Sequence, residues 1–255
     1  MRRPVKIACS SATFAGTIAR GELTQLEWLD LCANELEVDG IVFDAVQFPR
    51  TDGDYLAQLK KFAVDLGLTV AGLSADDVFG NEGGRWLDIA LTLGAPLVVA
   101  RAHRASDDPA GWGDFVADVK VRSREAKRDN VTLAIRNTLA TLCETAADLE
   151  RLAKEVDSAW VRFALDTAVF TAVDDTRMLL PDAAIAWHTV ADVEHFATRA
   201  DVAAEALVRA LARFRGFIVL DSAHEQTARN DSYHRALERF AALRASALVA
   251  GAFER

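Results

Sequence analysis

Short apolar runs alternate with longer amphipathic segments along the whole chain. The runs are rich in Val, Ile, Leu and Ala and show no regular polar alternation. They lie at 5–9, 40–44, 68–73, 97–100, 131–135, 161–165, 183–187 and 216–220. Such runs are typical of parallel strands that are buried on both faces. The pattern therefore predicts eight buried strands.

The amphipathic segments between these runs predict helices. They cover 23–36, 54–67, 85–94, 112–128, 140–156, about 171–180, 192–214 and 231–247. In the first helix Leu26 and Leu29 share one face, and Thr24 is placed to cap its start. Gly67 and Gly94 end two other segments, as glycine commonly does.

Eight strand-then-helix units in 255 residues predict an α/β fold. We expect a single (β/α)8 barrel, with one domain covering residues 1–255. An open doubly wound sheet is the alternative, but such a sheet seldom has eight units and usually carries a Gly-rich first turn. The first run is followed by SSATFAG, and the sequence has no GxGxxG or GxxxxGK[ST] motif. It therefore predicts neither a dinucleotide site nor a P-loop.

The composition of the chain limits the kinds of partner that we expect it to bind and the compartment in which we expect it. The chain has 38 acidic against 29 basic residues, a balance that disfavours nucleic acid and anionic membrane surfaces. Its three scattered cysteines indicate reduced thiols rather than a disulfide framework or a zinc cluster. No apolar run resembles a secretion signal or approaches the roughly 20 residues that cross a bilayer. We expect a cytoplasmic protein whose partner is a small molecule, and a homodimer remains open.

Polar residues follow each predicted strand, at the end of the barrel where active sites lie. We expect substrate contacts from six of them, namely Ser10, Asp44, Asp76, Arg101, His103 and Asn137. The segment 74–84, which combines aspartates with three glycines, is either a mobile loop over the pocket or an ordinary turn.

Several segments resemble the xylose-isomerase-like sugar-phosphate isomerase/epimerase barrels, in order along nearly the whole chain. They are KIACSSATFAG, LCANELEVDGIVFD, YLAQLKKFAVDLGLTVAGLS, ALTLGAPLVVARA, TLAIRN, RFALDTA, IAWHTVAD and FIVLD. The resemblance implies the barrel fold and activity on a sugar or a similar polyhydroxy compound.

In that family four residues, one from each of the last four strands, hold a divalent metal. The matching positions here are Arg136, Asp166, His188 and Asp221, which the resemblance makes the candidate catalytic residues. Asp166 and His188 fit the family pattern, and Asp221 is one methylene shorter than the family's glutamate. Arg136 departs from it, because a guanidinium stays protonated and cannot ligate a cation. Val169 stands at or near the position of another family histidine.

The net charge of the four groups is consistent with an arginine in place of the metal. Two carboxylates and one arginine carry the same net charge as three carboxylates with a divalent ion. A divalent ion about 4 Å from Arg136 would meet a repulsion of roughly 8 kcal/mol at an effective dielectric near 20. We expect no metal and no other cofactor. The guanidinium is instead expected to bind Asp166 or Asp221. The alternative is a divalent ion held by Asp166, His188 and Asp221.

This altered site predicts a sugar or sugar-phosphate isomerase/epimerase-like protein. Arg136 can stabilise a developing oxyanion but cannot act as a general base. Asp221 remains a candidate base, with His188 as an acid or hydrogen-bond donor. One-base isomerisation and a lyase reaction stay open, whereas two-base epimerisation loses one of its bases.

The same barrel also serves two other kinds of function. A non-catalytic carbohydrate- or anion-binding protein of the same fold is the main alternative, with Arg136 and its carboxylates as a structural network. Abasic-site endonucleases share the barrel but use several metals and a basic groove. Five histidines and an acidic chain argue against that activity.

Overall fold

Eight parallel strands close into a barrel in which each strand pairs with its neighbours in sequence and β8 pairs with β1. The computed structural model describes residues 6–105, 111–166, 169, 180–190, 214–222 and 238. The strands are β1 (Lys6–Ser10), β2 (Gly40–Asp44), β3 (Thr69–Ser74), β4 (Leu97–Arg101), β5 (Thr132–Arg136), β6 (Val161–Asp166), β7 (Ala183–Val190) and β8 (Phe217–Ser222). All eight predicted strands are confirmed, and so is the (β/α)8 class.

The described part of the chain contains six α-helices. They are α1 (Ala15–Ala19), α2 (Gln25–Asn34), α3 (Gly53–Asp65), α4 (Arg85–Leu93), α5 (Gly111–Asp129) and α6 (Ala146–Val156). Thr24 caps α2 as predicted, because its hydroxyl accepts the Glu27 N–H while the Glu27 carboxylate accepts the Thr24 N–H. None of the described helices is long and apolar enough to cross a membrane.

Helix α6 begins later than the predicted segment 140–156. Thr145 is its N-cap, and its hydroxyl accepts the N–H of Asp148 at 3.2 Å. Before it the chain turns, with the Thr141 hydroxyl donating to the Thr138 carbonyl at 2.8 Å. Threonine side chains that bond to nearby backbone compete with helix, which explains the late start. The predicted helices at 171–180, 192–214 and 231–247 lie almost wholly outside the described residues.

The strands separate an inner core from an outer one. Every second strand residue points into the barrel, and these side chains form the inner layer. They are Ala8, Val42, Ala71, Val99, Ala134, Ala164, Ile185, Trp187 and Val219. The alternate residues pack against the helices. Four alanines in the inner layer leave room for the large indole of Trp187.

The same alternation carries side chains to the carboxyl-terminal mouth of the barrel. A residue two positions after an inner-layer residue faces the same side, one step higher. Five charged residues stand in that position, namely Asp44, Arg101, Arg136, Asp166 and Asp221. The barrel therefore collects them at one end.

The segment 74–84 is held by contacts with α4 and α5. The Trp86 indole N–H donates to the Asp77 carboxylate, and Arg122 Nη2 donates to the Gly80 carbonyl at 3.1 Å. Gly83 lies directly against the backbone of Val78. These contacts favour the ordinary turn over a mobile loop.

Gly83→Ala tests this packing. A Cβ at position 83 would lie 1.9 Å from the Val78 carbonyl oxygen, so backbone must shift. We expect the free energy of unfolding to fall by about 1–3 kcal/mol, measured by urea denaturation followed by circular dichroism. The control is Gly113→Ala, where a Cβ meets nothing within 4 Å and no loss is expected. Equal denaturation midpoints for the two variants would contradict the packing argument.

Candidate active site

A nearly buried arginine lies between two nearly buried carboxylates at the barrel mouth. Arg136, the last residue of β5, donates from Nη2 to Asp166 Oδ2 at 2.7 Å and from Nε to the same oxygen at 3.3 Å. Its Nη1 is 3.7 Å from Asp221 Oδ2. The three side chains are 14%, 6% and 7% exposed. Strands β5, β6 and β8 thus meet in one ion-pair network.

Trp187 completes this network and is not among the site residues predicted from the sequence. Its indole N–H donates to Asp221 Oδ2 at 2.8 Å, and its ring lies 4.6 Å from the Arg136 guanidinium carbon. A guanidinium over an indole face is attracted by the ring quadrupole. Alternate residues of β7 point into the barrel, so Trp187 lies inside it with Ile185. This alternation is the sequence signal that could have identified Trp187.

Asn137 orients Asp166 from behind. It is fully buried, its amide N–H donates to the Asp166 carbonyl at 3.0 Å, and its Oδ1 accepts the Asp166 backbone N–H at 2.6 Å. Asn137 is predicted from the sequence to contact substrate. The structure shows its two bonds to the backbone of β6, and it is not among the described residues that line the cavity.

A second arginine–carboxylate pair lies beside the first. Arg101 ends β4 opposite Arg136 in the strand register. Both Arg101 Nε and Nη2 donate to the Asp76 carboxylate, the first at 2.8 Å. This two-point contact fixes the plane of the guanidinium.

Asp44 is the carboxylate at the mouth that no arginine binds directly. Its Oδ1 accepts the Val46 N–H at 3.1 Å, and its own N–H donates to the Ser11 hydroxyl at 2.9 Å. Its Oδ2 has no hydrogen-bond partner among the described residues. Burial raises the pKa of Asp44 to about 6, against the lowering effect of the Val46 bond.

The charged residues that face Asp44 modify this pKa from several strands. Asp221 and Asp76 raise the pKa further by like-charge repulsion, and Arg101 lowers it. Asp44 therefore exchanges its proton just below neutral pH, which is the range that suits a general acid or base.

Two other predicted residues, Ser10 and His103, stand apart from this arrangement. The Ser10 hydroxyl is buried and accepts the Ala12 N–H at 3.2 Å. His103 packs against the rings of Phe79 and Phe115, and its burial lowers its pKa. His188 lies on β7 opposite Leu220, and its side chain lies outside the described residues.

A cavity of about 890 Å³ opens beside the network. Its charged floor, built from strand ends, consists of Asp44, Ser74, Asp76, Arg101, Arg136 and Asp221. Its apolar wall, built from the segments after β1 and β2, consists of Ala12, Ala15, Ile18, Ala19, Leu23, Leu26, Val46, Phe48, Pro49 and Tyr55. Neither Asn137 nor His103 is among the described lining residues. The volume is that of a small-molecule site.

The described residues offer no ready cluster of metal ligands. Within the described ranges no three His, Cys, Asp or Glu side chains are grouped so that they could hold a metal ion. Arg136 lies between the carboxylates that come nearest to such a group.

A family model described as the xylose isomerase-like TIM barrel matches residues 32–243. The chain belongs to this family. The closed barrel and the polar strand ends agree with that membership. No curated protein matches the sequence.

Solved structures share the xylose isomerase-like fold with this chain. D-psicose 3-epimerase from Clostridium cellulolyticum H10, crystallised with D-tagatose, is similar at a TM-score of 0.75 and 17% identity, covering 96% of this chain and 99% of that one. A probable 3-DHS dehydratase from Bacillus anthracis is similar at a TM-score of 0.72 and 12% identity. The match covers 94% of this chain and 98% of that one. An L-ribulose 3-epimerase is similar at a TM-score of 0.65 and 17% identity. The match covers 96% of this chain and 98% of that one. At such identities the likeness shows the fold alone.

The raised pKa of Asp44 predicts a pH-dependent stability in this xylose isomerase-like barrel. A carboxyl with a higher pKa folded than unfolded favours folding while it is protonated. That contribution is complete below pH 4 and is lost as the pH rises through about 6.

Asp44→Asn removes this titration. We therefore expect the unfolding free energy of the variant, relative to that of wild type, to rise by about 1–2 kcal/mol as the pH increases from 4.5 to 7.5. Urea denaturation at each pH measures this difference. The exposed Asp54→Asn on α3 is the control and should follow wild type. Parallel pH profiles for wild type and Asp44→Asn would contradict the raised pKa.

Proposed function

We propose that this protein is a sugar isomerase/epimerase-like enzyme that acts on a small polyhydroxy or keto substrate, a sugar or sugar phosphate, at the barrel mouth. One observation carries the proposal. The guanidinium of Arg136 lies between Asp166 and Asp221, where the resemblance implies a metal, and it lines a cavity with room for a ligand. A cation thus faces the position of a substrate carbonyl.

The residues present do not fit a divalent metal. Arg136 nitrogens lie 2.7 Å from Asp166 and 3.7 Å from Asp221, so the arginine uses the carboxylate oxygens that a metal would need. An ion added there would meet a fixed positive charge at close range. We therefore propose a site that works without metal.

In this proposal Arg136 stabilises negative charge on the substrate oxygen. Preorganised donors in a water-poor site stabilise a developing oxyanion more strongly than water does. Asp166, Asp221 and the Trp187 ring hold the guanidinium in place, so little reorganisation is needed when the charge forms. Asn137 fixes Asp166 in turn.

Asp44 is the group to which we assign proton transfer. The other carboxylates of the site each accept a hydrogen bond from a side-chain donor: Asp76 from Arg101, Asp166 from Arg136 and Asp221 from Trp187. Within the described chain the Asp44 carboxylate accepts a hydrogen bond only from a backbone N–H, and its pKa is about 6. The geometry therefore favours Asp44 as the base over Asp221, which the sequence had suggested.

The proposed step is a one-base isomerisation. Asp44 takes a proton from the carbon beside the carbonyl, and the C–H electron pair forms an enediolate whose oxygen faces Arg136. Asp44 then returns the proton to the former carbonyl carbon. The hydroxyl proton passes to the former carbonyl oxygen, so the product is an isomer and no oxidant or reductant is required.

A non-catalytic carbohydrate- or anion-binding protein is the second candidate. The observation in its favour is that Arg136 is already bound by Asp166 and stacked on Trp187, as in a structural network. Binding of a sugar without turnover would support it.

Hydrogen exchange in D2O tests the enzyme proposal. With a panel of ketoses and aldoses, wild type should incorporate deuterium beside the carbonyl of at least one compound. Asp44→Asn should lower that rate by about 100-fold or more, since general bases contribute on this scale. Binding of the same compound should change little, and Asp54→Asn should retain full activity. Absence of exchange with every compound, with or without Mn²⁺, would sink the isomerase proposal.

Metal titration tests the metal-free proposal separately. Wild type should bind no stoichiometric Mn, Mg or Zn at Asp166. Arg136→Glu places a third carboxylate beside Asp166 and Asp221, so we expect Mn²⁺ to raise its melting temperature and to leave that of wild type unchanged. The control is Arg124→Glu on the exposed face of α5. A metal bound at Asp166 in purified wild type would overturn the proposal.

A further inference from the structure

We infer that the substrate carries an apolar group, such as a ring or a branched chain, joined to the polar head that the charged floor binds. The assignment of the head depends on the proposed function, whereas the apolar group follows from the opposite side of the cavity. The cavity therefore narrows the polyhydroxy or keto substrate of the proposed function to one that carries an apolar group on one side.

The apolar wall exposes hydrophobic side chains to the cavity. Ile18, Leu26, Phe48 and Tyr55 are only half-buried, and all of them line it. Val46 is 74% exposed, the highest value among the exposed large hydrophobic residues of the described chain. Covering such surface with an apolar group removes it from water, which is favourable in proportion to the area covered.

Among the described lining residues, the polar side chains on this side are Thr24, Gln25, Gln47 and Tyr55. The Thr24 hydroxyl accepts the Glu27 N–H, and Gln25 Nε2 donates to the Gln47 carbonyl at 2.9 Å. The side-chain oxygens of Gln25 and Gln47 are buried and have no hydrogen-bond partner in the described part of the chain. These two oxygens have almost no exposed surface, so the described side chains on this side offer a ligand fewer hydrogen-bonding groups than a ring of sugar hydroxyls requires.

The size of the cavity agrees with a two-part ligand. About 890 Å³ lies in the upper part of the range for sites that bind drug-sized molecules, roughly 300–1,000 Å³. A polar head beside Arg136 and Asp44 leaves the volume along the apolar wall for the remainder of the ligand.

A pair of diols with the same head tests the inference. Propane-1,2-diol and 1-phenylethane-1,2-diol differ only in a methyl against a phenyl group. We expect the phenyl compound to bind wild type about 10- to 100-fold more tightly, as measured by titration calorimetry, because its ring covers apolar surface.

Two matched valine variants locate the effect. Val46→Asp places a charge on the apolar wall at an exposed position where folding is not at risk, and it should reduce the preference for the phenyl compound several-fold. Val64→Asp alters a valine that is 64% exposed on α3 and absent from the cavity lining, so it should leave the preference unchanged.

The outcomes separate this inference from the proposed function. Equal affinity for the two diols, or an unchanged preference in Val46→Asp, overturns the inference even if deuterium exchange with a ketose is observed. A phenyl preference that Val46→Asp removes supports the inference even if no exchange occurs, in which case the proposed function alone fails.

Discussion

The guanidinium of Arg136 lies between two carboxylates that are only 6% and 7% exposed, and much of the barrel mouth depends on this contact. Charges removed from water are tolerated when they are paired, and removing one partner of a buried pair typically costs about 3–5 kcal/mol. Arg136, Asp166 and Asp221 come from β5, β6 and β8, while β7 contributes Trp187 to both Arg136 and Asp221. The network therefore links the last four strands at the end of the barrel where ligands bind.

Arginines bind most of the described carboxylates at the barrel mouth. Arg136 donates to Asp166 and lies near Asp221, and Arg101 donates to Asp76. Asp44, on β2, is left with a backbone donor and a pKa near 6. The low dielectric that strengthens the Arg136 pairs is the same property that raises the pKa of Asp44. The charge pairing and the raised pKa of Asp44 thus have one physical origin.

The barrel architecture tolerates wide differences in sequence. Epimerases with 17% identity to this chain retain the barrel over nearly its full length. The inner layer needs only small and branched side chains of suitable volume, so many sequences satisfy it. Function depends on the residues of a site rather than on the fold, so a residue such as Arg136 at the mouth can differ while the barrel is kept. Membership of the xylose isomerase-like family therefore constrains the architecture more tightly than the reaction.

The sequence by itself determined the barrel, because eight apolar runs buried on both faces leave few other arrangements and each run is a local signal. It also placed Arg136, Asp166 and Asp221 at one end, since parallel strands all end on the same side. Only the tertiary structure showed that Trp187 joins them, that Asn137 supports Asp166 and that His103 packs between Phe79 and Phe115. It also produced the apolar wall and the raised pKa of Asp44. These features depend on distances and burial between residues far apart in the chain, which no local pattern records.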